Sequence, residues 1–264
     1  MKIFAHRGMP YEYPENTLVS YEKSLEEGFG LEIDVHRSKD GKLVIIHDLN
    51  VKRLTGIDKN VTDMKLGEIK GLNYGGHFDS KYNHEKIPTF EEVIDLVKKK
   101  GHKDVMVAVH VKNENEGNVL ELLSKEFDKH NLYNQWFLFD LTIEGATKLK
   151  KTNPKMKIAA SVGEKKYAKT IYLLDEVINL ECFDYIWADE WIYGLYSKEY
   201  FDKIKASGKK IYVISPELHK DHGHPLSQKG YKKCWEMLIS WKVDGVCTEY
   251  PKEFRELEKK HLNN

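Results

Sequence analysis

The sequence predicts a single-domain (β/α)8 barrel of the TIM type, and three observations carry that reading. Short apolar runs rich in β-branched and aromatic residues alternate with amphipathic segments, the rhythm of parallel strands joined by helices. The chain has 264 residues, 41% of them hydrophobic, which is enough to enclose one large core, and single α/β barrels reach this length. Side chains able to act as acids, bases or metal ligands end several apolar runs, where a parallel barrel gathers its chemistry.

The candidate strands are residues 2–6, 30–35, 43–47, 105–111, 135–140, 157–162, 184–188, 210–215 and 244–248. Nine runs exceed the eight of a closed barrel by one, so one is expected to be an edge piece or a misread loop. After Pro14, the apolar residues Leu18, Tyr21, Leu25 and Phe29 recur at three- and four-residue spacings and predict a helix. Between the second and third runs only residues 36–42 intervene, with Asp40-Gly41 as the turn. That is too short for a crossover helix of about a dozen residues. If both runs are parallel barrel strands, the helix between them is missing.

Residues 49–86 lack a long apolar period and contain Gly56, Gly71, Gly75 and Gly76, so they read as an irregular insertion, a lid over the strand ends within the domain of residues 1–264. Thr89 and Glu92 have capping-box spacing, followed by the apolar face of Phe90, Val93, Ile94 and Val97, three lysines and Gly101 as a stop. Ser197 to Gly208 repeats that logic with Tyr200, Phe201 and Ile204.

Lys+Arg and Asp+Glu both number 42, so no net field draws nucleic acid or a membrane, and the expected partner is a small molecule. No protein partner is inferred. Cys182, Cys234 and Cys247 are odd in number and lack CxxC spacing, which suits reduced core thiols. No apolar run approaches the roughly 18 residues of a membrane span, and no signal-peptide pattern precedes the first run. A cytoplasmic location without an integral membrane segment is therefore expected.

Glu32 and Asp34 are two apart in a strand, so both point to one face and can hold a hard divalent cation. His6 and His47 close the neighbouring runs. Phosphodiester cleavage needs one proton removed from the attacking group and one delivered to the leaving oxygen, and two histidines beside a cation-held phosphate can do both. Arg7 brings a planar fork suited to phosphate oxygens. Of the twelve histidines, His77, His84, His102 and His130 occupy no such position and read as ordinary surface or core residues.

The ordered series His6-Arg7-Gly8, Pro14-Glu15-Asn16-Thr17, Glu32-Ile33-Asp34-Val35, Lys39-Asp40-Gly41, Val44-Ile45-Ile46-His47-Asp48 and Ile87-Pro88-Thr89-Phe90-Glu91-Glu92 resembles the glycerophosphodiester phosphodiesterase family over the first ninety or so residues. The resemblance implies a phosphatidylinositol-phospholipase-C-like (β/α)8 barrel, with His6 and His47 as acid and base. It further implies one divalent metal ion (Mg, Mn or Ca) at Glu32 and Asp34, with Arg7 and Glu15 around the phosphate. The family's fourth-strand Glu-x-Lys appears here as His110-Val111-Lys112, which keeps the lysine and puts an imidazole where the third carboxylate is usual. A set of Glu32, Asp34 and His110 carries one fewer negative charge and turns the preference toward manganese, zinc or another transition ion.

Two further departures lie downstream. The usual Trp-Thr-x-Asn is replaced by Val213-Ile214-Ser215-Pro216-Glu217-Leu218-His219, and Thr-Asp-x-Pro by Thr248-Glu249-Tyr250-Pro251. Glu217 and His219 are expected at the barrel mouth as substrate-binding groups, with Lys112. Asp140, Asp189 and Glu190 also end candidate strands, where catalysis and loop capping are both open to them. The reading is a metal-dependent phosphodiesterase acting on a small glycerophosphodiester, with water or a substrate hydroxyl attacking. The alternatives are a related enzyme for a glycerol-phosphate-bearing glycan, a nucleotide-linked intermediate or a lysophospholipid, and an inactive phosphate-binding relative.

Overall fold

A computed structural model describes residues 1–263. Its ten strands are β1 (Lys2–His6), β2 (Gly30–Arg37), β3 (Leu43–Ile45), β4 (Val107–Val111), β5 (Trp136–Phe139), β6 (Lys157–Val162), β7 (Ile171–Tyr172), β8 (Tyr185–Ala188), β9 (Lys210–Ile214) and β10 (Gly245–Thr248). Strands β1, β2, β4, β5, β6, β8, β9 and β10 pair in parallel in that cyclic order, and β10 closes the barrel on β1. The fold is the TIM-type (β/α)8 barrel that the alternating pattern predicts.

The surplus run is residues 43–47. Its β3 pairs antiparallel with β2, Val35 opposite Ile45 and Arg37 opposite Leu43. The short connection forces this return, because Gly41 (φ 79°) turns the chain back on itself. No helix separates β2 from β3, as the spacing requires, but the barrel lacks none there. The next barrel strand is β4, reached through the helix Phe90–Lys100. That helix carries the predicted capping box, Thr89 N–H donating to Glu92 Oε2 at 2.7 Å and Glu92 N–H to Thr89 Oγ1 at 3.1 Å. The two-residue β7, paired with β6 outside the barrel, is too short to leave a period-two signal.

The segment from 49 to 86 has no long helix or strand, as its lack of an apolar period suggests, yet it carries a small core of its own. Short helices at Lys52–Thr55 and Leu66–Gly71 enclose an apolar cluster that includes Val51, Leu54, Val61, Met64, Ile69, Leu72 and Tyr74, packed on Val44 and Ile46. Its mixed spacing hides a genuine small core built from pieces shorter than one amphipathic helix.

Strand alternation fills the barrel interior in layers. Phe4, Phe137, Tyr185, Trp187 and Tyr212 form an aromatic plug at its base, with neighbouring ring centroids 5.1–5.9 Å apart. The next inward positions, toward the C-terminal ends, are His6, Glu32, Asp34 and His110. Apolar packing below and polar groups above therefore come from the same strands. The opposite faces of these strands meet the surrounding helices in the main core. Among the described residues, no helix is long and apolar enough to cross a membrane.

Candidate active site

At the C-terminal mouth of the barrel a cavity of about 570 Å³ is lined by His6, Arg7, Glu32, His47, His110 and Lys112, among others. Strand register explains the meeting. His6 stands beside Glu32 across β1–β2, and Asp34 beside His110 across β2–β4. Lys112, two residues beyond His110, keeps the inward parity, and its Nζ lies 3.6 Å from Asp34 Oδ1.

Glu32, Asp34 and His110 present donor atoms within 4.8 Å of one another. His110 Nδ1 is 3.1 Å from Asp34 Oδ1 and 3.8 Å from Glu32 Oε1, while Nε2 is 3.3 Å from Asp140 Oδ2. Asp34 Oδ1 is buried and satisfies no hydrogen bond. A buried carboxylate oxygen without a donor is costly, and a cation among two carboxylates and an imidazole would satisfy it. These residues fit a divalent metal ion.

The buried pair is electrostatically split. Burial, then Asp34, raises Glu32 above the usual carboxylate range. Burial acts the same way on Asp34, but Lys112, His47, His110 and Arg7 outweigh it and hold Asp34 well below its ordinary value. For His110, burial and Lys112 disfavour the charged ring, yet Asp140 and Asp34 prevail and raise its pKa.

Arg7, which lines the cavity, is anchored by local backbone geometry. Arg7 adopts φ 52° and Gly8 φ 88°. This sharp turn lets Arg7 N–H donate to Glu32 Oε2 at 3.2 Å. A Cβ on Gly8 would stand 2.1 Å from Ser20 Oγ, so only glycine fits. The Arg7 fork donates to Glu15 Oε1 at 3.2 Å and lies 3.5 Å from Asp34 Oδ2. Glu15 is shared with Arg53, whose two contacts are 2.7 and 3.0 Å. Glu15 therefore orients two arginines and is not itself among the cavity-lining residues.

The two histidines have different surroundings. His6 Nδ1 is 3.6 Å from Glu249 Oε1, and Nε2 is 4.0 Å from Glu32 Oε2. His47 Nδ1 lies 2.7 Å from Asp48 Oδ1, and burial lowers its pKa despite the opposing pull of Asp34 and Asp48. Asp48 is fixed in turn by Arg53 Nε at 2.5 Å.

His219 reaches the cavity wall as expected, paired with Asp189 and stacked on Trp191 at 4.8 Å. Glu217 does not. The short helical turn Pro216–His222 sends it inward, 2% exposed, where Ser215 and Thr248 hydroxyls and Glu249 N–H donate to it. It ties the end of β9 to that of β10, and burial raises its pKa to about 7. Two contributors escaped the sequence reading as individuals. Arg53 gives no signal because its segment shows no period. Asn16, at φ 52°, donates to Asp34 Oδ2 at 3.0 Å and accepts from Tyr21; its position in Pro14-Glu15-Asn16-Thr17 was the available cue.

The pattern of the glycerophosphoryl diester phosphodiesterase family matches residues 6–253. The chain belongs to that family. A glycerophosphodiester phosphodiesterase of Caldanaerobacter subterraneus subsp. tengcongensis is 36% identical over 162 residues, 59% of this chain and 64% of that protein. The shared stretch thus spans slightly under two thirds of that relative. One from Bacillus altitudinis is 28% identical over 255 residues, 95% of each chain. Among solved structures, an Oleispira antarctica phosphodiesterase in complex with the product sn-glycerol-3-phosphate superposes with TM-score 0.77 at 22% identity, covering 98% of this chain and 97% of that one. This likeness establishes the shared barrel. In this member of the glycerophosphoryl diester phosphodiesterase family, His110 on β4 brings an imidazole to a donor set otherwise made of two carboxylates.

Proposed function

We propose that this chain hydrolyses a small glycerophosphodiester to an alcohol and a phosphomonoester, with His47 as general base, His6 as general acid, and a divalent cation held by Glu32, Asp34 and His110. The observation that carries the reading is the convergence of both histidines on that buried donor set within one cavity. His47 is kept neutral by burial, and Asp48 takes its Nδ1 hydrogen, leaving Nε2 to accept the proton of an attacking water. The water oxygen bonds to phosphorus as the bond to the leaving oxygen breaks. His6, whose Nε2 lies 4.0 Å from Glu32 Oε2, delivers the proton that the leaving alkoxide requires.

Arg7 and Lys112 offset the charge on the nonbridging oxygens, with Glu15 holding the Arg7 fork in place. A bound cation would polarise the phosphate and neutralise part of its charge. We place the reaction in the cytoplasm, where free thiols such as Cys182, Cys234 and Cys247 persist.

The test is turnover of a glycerophosphodiester panel by chelator-stripped protein before and after adding Mg, Mn, Ca or Zn. Metal-restored release of phosphomonoester is expected. Failure with every ion would leave a phosphate-binding relative in place of an enzyme.

A further inference from the structure

Asp140 directly follows β5, and the chain leaves strand geometry to bring it to the cavity. Phe137 and Phe139 pack inside the barrel, so continued alternation would send residue 140 outward to the helices. Asp140 instead adopts φ 67°, in the left-handed region that a residue with a side chain enters at a cost. Its carboxylate lines the cavity, and Oδ2 lies 3.3 Å from His110 Nε2.

The His110 ring is thereby held on a face and at both edges. It stacks on Phe139, its register partner, with centroids 4.7 Å apart and planes 26° from parallel. One edge meets Asp140; at the other, Nδ1 lies 3.1 Å from Asp34 Oδ1 and 3.8 Å from Glu32 Oε1. A carboxylate accepts and cannot donate, so a neutral ring that keeps its hydrogen on Nε2 for Asp140 turns the Nδ1 lone pair toward the two acids. Asp140 stands beyond the ring from them and is no member of the donor set of Glu32, Asp34 and His110. It acts on a cation there only through the imidazole.

We propose that Asp140 is a positioning residue that makes His110 a metal ligand: it takes the Nε2 hydrogen, holds the ring in its plane, and adds, through the imidazole, a third negative charge to the site of Glu32 and Asp34. This assignment rests on the cation site proposed above. A carboxylate on the far nitrogen raises the basicity of a metal-bound imidazole and fixes its orientation. It thereby favours ions that take nitrogen donors, such as manganese, cobalt and zinc, over magnesium and calcium.

The test is competitive titration of the chelator-stripped protein with zinc, in the wild type, Asp140→Asn, Asp140→Gly, His110→Glu and the double variant His110→Glu with Asp140→Asn. Asparagine and glycine both accept a left-handed φ, so neither change disturbs the turn. Each Asp140 variant should weaken zinc binding by roughly ten- to a hundredfold. In the His110→Glu background, Asp140→Asn should change affinity by no more than about twofold, because the ring through which Asp140 acts is gone. Full affinity in either Asp140 variant, or the same proportional loss with and without the imidazole, overturns the proposal.

Cobalt supplies a signature that a merely structural role would not move. Proton NMR of the cobalt-loaded wild type should show a strongly shifted resonance, present in water and absent in heavy water, from the Nε2 hydrogen of His110. It should vanish in His110→Glu and exchange faster with solvent in Asp140→Asn; an unchanged exchange rate overturns the proposal. None of these measurements needs turnover. If no diester is cleaved, the hydrolytic reading falls while the zinc and cobalt results stand. A wild type that takes up neither ion overturns the cation site and this assignment with it.

Discussion

Asp48 holds the ring of His47, its Oδ1 lying 2.7 Å from Nδ1. With Nδ1 so engaged, Nε2 is the nitrogen left for the reaction, and the base is competent only when that nitrogen is unprotonated. Burial is the largest influence on His47 and lowers its pKa, with Lys112 and Arg7 acting in the same direction. The acid limb of kcat/KM should therefore lie below the ordinary histidine value of about 6.5. Asp48→Asn removes a group that raises the pKa, so the limb should move to still lower pH. The plateau should fall by roughly ten- to a hundredfold because the ring loses its orienting carboxylate. A pH–rate profile of the two proteins decides this, and an upward shift of the limb would contradict it.

His6→Ala and His47→Ala each remove a proton-transfer group and should lower kcat by about a hundred- to ten-thousandfold. Their side chains are 14% and 32% exposed and belong to no apolar cluster, so both variants should remain folded. Circular dichroism alongside the rate measurement separates lost chemistry from lost structure. Retained turnover in either would remove the role assigned to that histidine.

Much of the site was legible because a strand's period of two is a strong constraint. Glu32 and Asp34 had to share a face, and parallel neighbours then bring His6 and His110 to them within one register step. What sequence spacing could not supply was direction. The run at 43–47 looks like a buried parallel strand yet returns antiparallel, since hydrophobicity does not encode strand polarity. Glu217 was placed at the mouth by its distance from β9, but a short helical turn rotates it beneath the loop. Arg53 arrives from a segment whose core is assembled from short pieces, and nothing local marks it as a neighbour of Asp48.

His110→Glu should alter metal choice more than turnover. The substitution adds a negative charge to the donor set and exchanges nitrogen for oxygen, which favours Mg and Ca over Mn and Zn. Imidazole must also be deprotonated to bind a cation, and the net pull of Asp140 and Asp34 raises the His110 pKa. Wild-type metal affinity should consequently weaken as pH falls through that raised value, by up to about tenfold per pH unit. Competitive metal titrations at several pH values should show a shallower dependence in the variant. An unchanged ion preference would mean that His110 is not a ligand.

Glu217 supplies a stability test independent of catalysis. Its folded pKa of about 7 exceeds its ordinary value of 4.5 because burial disfavours the carboxylate. The folded state therefore binds this proton more tightly than the unfolded chain. The resulting stabilisation is complete below about 4.5 and is lost as pH rises to about 7. The shift corresponds to a loss on the order of 3 kcal/mol across that window. Glu217→Gln keeps a neutral polar group between Ser215 and Thr248 but has no proton to release, so its stability should be flatter from pH 5 to 7. Urea unfolding at half-unit steps would show wild type losing ground to the variant as pH rises, with the gap constant above about pH 8. A gap that widens toward acid would instead mean that the carboxylate is ionised and stabilised in the fold.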